Sequence, residues 1–174
     1  ARPASRRPDA PARAEAPRAY LRSVKVRAFR GIGPERTLVV PEGRGLTVVT
    51  GRNGCGKSSF AEAVELLFTD HCSRFSAAVA AEGWRNHHVP ELPFIAADVV
   101  VERKGPLTFS RRWGKDAGLK DADTVVKDEA GTVPIGDTPW LRASRDYRPF
   151  LAYSQLGEML DGKSALYDAL MTGL

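Results

Sequence analysis

The sequence predicts an α/β fold, and three observations in the middle of the chain predict it. Leu46-Thr47-Val48-Val49-Thr50 is a β-branched apolar run with the character of a short buried strand. It leads directly into Gly51-Arg52-Asn53-Gly54-Cys55-Gly56-Lys57-Ser58, which fits the pattern G-x-x-x-x-G-K-[ST] with no mismatch. Beyond the pattern, Phe60, Val64, Leu67 and Phe68 fall at i, i+4, i+7 and i+8, the apolar stripe of a helix over residues 57–68, with Glu62 and Glu65 off that stripe.

Strand, glycine-rich loop and helix in this order form a polyphosphate cradle. The backbone must curl so that several N–H groups point inward, and side chains at Gly51, Gly54 or Gly56 would obstruct the curl. Lys57 would reach the β and γ phosphates as a point charge, and Ser58 would offer its hydroxyl to a Mg²⁺ bridging them. The positive end of the helix would face the same phosphates. The expected nucleotide-contacting set is therefore Gly51, Arg52, Asn53, Gly54, Cys55, Gly56, Lys57, Ser58 and Ser59, with ATP and Mg²⁺ as cofactors. ATP is preferred over GTP because a guanine reader of the form Asn-Lys-x-Asp is missing: no lysine follows an asparagine.

Composition sets the frame. The 174 residues, 43% hydrophobic, suffice for one globular unit; a chain of this size buries roughly 70% of its unfolded surface. The formal charge of +5 is concentrated at the start, where residues 1–19 hold five arginines against Asp9 and Glu15, leaving +2 for the remainder. Charge is thus a weak argument for a nucleic-acid face. One of the two cysteines, Cys55, lies in the glycine loop, where a disulfide would hinder nucleotide entry and where an exposed thiol is expected to be reactive. Reduced thiols, no run near the roughly 20 apolar residues of a membrane helix, and no secretion signal make a cytoplasmic protein with no membrane association the expectation.

Taken in order, residues 1–19 are sixteen parts Ala, Pro and Arg out of nineteen, the composition of a disordered tail. Residues 20–29 alternate, with Val24, Val26 and Ala28 against Ser23, Lys25 and Arg27, as a half-exposed strand does. Phe29-Arg30-Gly31-Ile32-Gly33-Pro34 closes it as a turn, residues 37–40 form a second strand, and Pro41-Glu42-Gly43-Arg44-Gly45 connects to the run at Leu46. After the helix, Trp84-Arg85-Asn86-His87-His88 reads as a polar loop; adjacent histidines point opposite ways in a strand, so surface positions are favoured over metal ligands. Residues 95–102 and 106–113 pair as a hairpin around Lys104-Gly105, with Arg111 and Arg112 expected on a solvated strand face, and residues 124–133 suggest a small hairpin around Ala130-Gly131. Residues 139–147 and 164–170 read as helices and 150–153 as a strand.

The segment Leu21-Arg22-Ser23-Val24-Lys25-Val26-Arg27-Ala28-Phe29-Arg30-Gly31, two short strands, then Gly-x-Asn-Gly-x-Gly-Lys-Ser and an apolar helix, resembles the N-terminal part of the ABC-type ATPase heads of the SMC, RecF and double-strand-break-repair ATPase group. Asn53-Gly54 within the loop and the Phe-Arg-Gly close of the first strand are the finer pointers. The resemblance implies a P-loop NTPase fold: an N-terminal lobe over residues 20–174 with the P-loop at 51–58, an antiparallel β subdomain at about 94–135, and a Q-loop region at 150–160. There, Gln155 would sense the Mg²⁺, although Tyr153 competes for that slot.

The resemblance also implies what lies elsewhere. A working head needs an apolar strand ending in Asp-Glu and a Ser-Gly-Gly signature donated across a dimer. Here the Asp-Glu pair at Asp128-Glu129 follows Lys127, and no Gly-Gly pair occurs, so the catalytic residues remain unassigned and the domain reads as incomplete. The expected function is ATP binding and, in the complete protein, ATP hydrolysis coupled to DNA repair or chromosome maintenance, with DNA and a second head in a homodimer as partners. The alternative is a truncated or degenerate nucleotide-binding module that acts through partner binding without turnover.

Overall fold

The computed structural model describes residues 18–134. Six strands form one antiparallel sheet in the order β2-β1-β3-β4-β5-β6. They are β1 (Ala19–Arg27), β2 (Arg36–Val39), β3 (Phe94–Val101), β4 (Gly105–Arg112), β5 (Asp123–Lys127) and β6 (Thr132–Val133), and α1 (Lys57–Thr69) lies across one face. The period-two pattern predicts why that face is apolar: Val24, Val26, Ile95, Ala97, Val99, Leu107, Phe109 and Val126 are buried against Ala63, Leu66, Leu67 and Phe68 of the helix. Phe68 meets Phe109 edge-on, centroids 5.5 Å apart. Tight turns set the register; at the β3–β4 hairpin, Arg103 and Gly105 both take positive φ.

Three expectations change. The run at residues 46–50 is not a strand: it pairs with none of the described strands, and Leu46 is 91% and Val48 69% exposed. A stretch apolar on both faces suits the middle of a parallel sheet, and none of the strands among the described residues lies beside it. On α1 the buried stripe is rotated from the expected one. Ser59, Glu62, Ala63, Leu66 and Leu67 line it, while Phe60 and Val64 are only half-buried, and both Glu62 and Glu65 are inside. Arg111 is no solvated strand residue either. It lies on the apolar face opposite Ile95, 5% exposed, and pairs with the carboxylate of Asp70 at the end of α1, whereas Arg112 is exposed as expected. Glu62 and Arg111 sit inside because an opposite charge meets each, Arg30 for Glu62 and Asp70 for Arg111.

Candidate functional site

Residues 51–58 form an exposed curl that delivers the chain into the first turn of α1. Gly54 and Gly56 hold φ of 81° and 94°, the left-handed region that side chains disfavour. Gly56 is further constrained because a Cβ there would come within 3.0 Å of Ile32 Cγ1. This residue is also the N-cap of α1, and no side chain caps the helix. Its first N–H groups are therefore left to whatever anion sits at the curl, with the helix dipole adding to the attraction.

Lys57 arches back over the loop, its Nζ donating to the carbonyls of Gly51 and Arg52, both at 2.8 Å, and lying 3.8 Å from Cys55 Sγ. The ammonium is thus at the rim of the curl, held by weak neutral acceptors that phosphate oxygens would outcompete. Ser58 is exposed beside it, and Ser59 is buried with its hydroxyl accepting the N–H of Gly31 at 3.2 Å. The loop, Lys57, Ser58 and Ser59 are therefore brought together. The residues fit a nucleotide polyphosphate: left-handed glycines, an uncapped helix start and a cation at one rim. Gln155, Tyr153 and residues 1–17 of the 1–19 tail lie outside the described residues, whereas Ala19, counted with the tail, opens β1.

Sequence reasoning missed the brace behind the loop. Glu62 Oε2 accepts Arg30 Nε at 2.7 Å and its Oε1 lies 3.4 Å from Arg74 Nη1. Glu65 accepts the N–H and hydroxyl of Ser73 at 3.0 and 3.2 Å, fixing the loop after the helix. Trp84, within the segment expected to be a polar loop, is instead buried against Trp113 with centroids 5.0 Å apart. Arg85 stacks on Trp84 and donates to the carbonyls of Gly114, Lys115 and Ala117. Asn86 ties the segment to the Phe29-Arg30 turn, its Nδ2 donating to Arg30 O at 3.0 Å and its N–H to Ala28 O at 3.0 Å. Two tryptophans near an arginine were the available signal. His87 and His88 are exposed, and among the described residues no group of three or more His, Cys, Asp or Glu could hold a metal ion.

A glycine-loop helix laid on an antiparallel sheet resembles in fold the N-terminal lobe of an SMC-like ATPase head. A solved SMC ATPase, from work on ATP-driven dimerization and DNA-stimulated activation of SMC ATPases, shares the fold at TM-score 0.50 and 16% identity, over 88% of this chain and 97% of that one. The recombination mediator RecF-ATP of the RecFOR pathway aligns at TM-score 0.49 and 20% identity, over 67% of this chain and 28% of RecF. The SMC head domain from Thermotoga maritima aligns at 0.38 and 15%, over 72% and 41%. Residues 23–108 match the family model described as an AAA domain. No curated protein sequence matches. The chain thus spans less than a third of RecF and under half of the Thermotoga head.

Proposed function

We propose that the chain is the ATP-binding lobe of a DNA-associated ATPase, with Mg²⁺·ATP held by residues 51–59. The observation that carries this reading is the arched Lys57 at the rim of an uncapped helix start. Loop N–H groups would take the β-phosphate oxygens, Lys57 would exchange its two carbonyl partners for β and γ oxygens, and the Ser58 hydroxyl would join the Mg²⁺ shell. When bound, Mg²⁺ would supply charge neutralisation to the polyphosphate. Hydrolysis, coupled to DNA repair or chromosome maintenance and completed by a second head, belongs to the whole protein. The likeness of fold to the solved SMC ATPase supports that wider reading.

The test is an equilibrium titration with ATP·Mg²⁺. Lys57→Ala removes charge-assisted bonds worth about 1.5 to 3 kcal/mol, so its Kd should rise roughly ten- to a hundredfold. An unchanged Kd overturns the assignment of the loop.

A further inference from the structure

We propose that Glu62 is a positioning residue for the phosphate loop, acting through Arg30. Its buried carboxylate anchors the turn at residues 28–33, and that turn braces the loop. The inference rests on reading residues 51–59 as the ATP site.

Glu62 lies on the buried stripe of α1 and is 3% exposed, a place that Leu or Ala would fill without desolvating a charge. Its two oxygens face two guanidinium groups, Arg30 Nε at 2.7 Å and Arg74 Nη1 at 3.4 Å. Arg30 is fixed on its other sides as well. Its Nη1 donates to Gly83 O at 2.7 Å, its guanidinium lies over the ring of Phe75 at 5.4 Å, and its own backbone sits at φ 51°, unusual for a residue other than glycine. A side chain held this firmly keeps the strained turn in place. The turn then meets the loop at two points. Gly31 donates its N–H to Ser59 Oγ at 3.2 Å, and the Ile32 side chain stands against the Cα of Gly56, where a Cβ would fall 3.0 Å from Cγ1. The last glycine of the curl and the second residue after Lys57 therefore lean on a turn whose anchor is one helical turn further along α1. Glu62 touches no phosphate in this arrangement; it sets the position of the groups that would.

The experiment is amide hydrogen exchange on the nucleotide-free full chain, paired with ATP titration, for wild type and Glu62→Gln. The isosteric amide keeps the volume and removes the charge. With β3 and β4 keeping their protection, exchange should accelerate at residues 28–33 and 51–60, and the apparent ATP Kd should rise by about tenfold as the competent loop population falls. A merely structural glutamate would instead raise exchange across the whole sheet. That result, or unchanged exchange at the turn and loop, overturns the inference, as does an unaltered Kd in a variant whose turn has loosened. Should Glu62→Gln fail to fold, Arg30→Gln carries the same expectation for exchange, because the residue lies outside the helix and is only partly buried. Failure of wild type to bind ATP would remove the site reading alone, while the exchange pattern would still decide the role of Glu62.

Discussion

At the scale of single residues, the two thiols divide by environment. Cys55 is exposed on the loop rim beside Lys57, whereas Cys72 is buried behind α1. Burial pushes the Cys72 thiol up to about 12; a hydrogen bond from the Arg74 backbone opposes the rise, and the nearby charges of Glu65 and Glu62 reinforce it. Because the folded state keeps this thiol protonated while the unfolded chain releases the proton near 9.0, the stability it contributes is complete below that value and declines as pH rises toward 12. At neutral pH a maleimide should modify Cys55 alone in the native protein, more slowly with ATP·Mg²⁺ bound, and Cys72 only in denaturant. Two equally fast native thiols would contradict the buried placement of Cys72.

At the scale of elements, the sheet face away from α1 is tied together by Asp98. On neighbouring strands in register, Ser23 Oγ donates to Oδ2 at 2.6 Å and Thr108 Oγ1 to Oδ1 at 2.8 Å, while Lys25 Nζ lies 3.8 Å away. Burial alone would raise this carboxyl, but those hydrogen bonds, with the charges of Lys25 and Arg22, outweigh it and hold Asp98 below its ordinary range. A depressed carboxyl contributes stability that is complete above its unfolded value and is lost as pH falls through its folded one. Asp98→Asn should therefore cost about 1 kcal/mol at neutral pH, discounted for partial exposure, and less in acid. Urea melts at the two pH values check this; a penalty independent of pH would remove the charge from the explanation. The strands and α1 themselves were legible because period-two and helical patterns are local. The orientation of α1 was not, since Phe60 and Val64 look like core residues until Arg30 and Arg74 are known to neutralise Glu62 from 32 and 12 positions away.

At the scale of the whole molecule, the same division between local and distant information governs the site. The loop at residues 51–58 is one contiguous pattern and could be read directly, whereas its supports, Arg30 on Glu62 and Trp84 on Trp113, join segments that only the fold brings together. The run at residues 46–50 shows the converse: its composition fits a buried strand correctly, but a strand exists only beside another, and the described sheet places none there. Leu46, Val48 and Val49 are large exposed apolar side chains, as are Val39 on the edge strand β2 and Leu92. An unpaired apolar segment of this kind is a template for association. The chain on its own should therefore form larger species as its concentration is raised, and Leu46→Lys with Val48→Lys should keep it monomeric in sedimentation velocity. Because these side chains are so exposed, each substitution should alter stability by no more than about 0.5 kcal/mol. A large fall in melting temperature would mean that the run is packed in solution after all. A variant that stays monomeric and stable yet binds ATP as wild type does would separate the two duties of this stretch, delivering the chain into Gly51 and offering a strand to a neighbour.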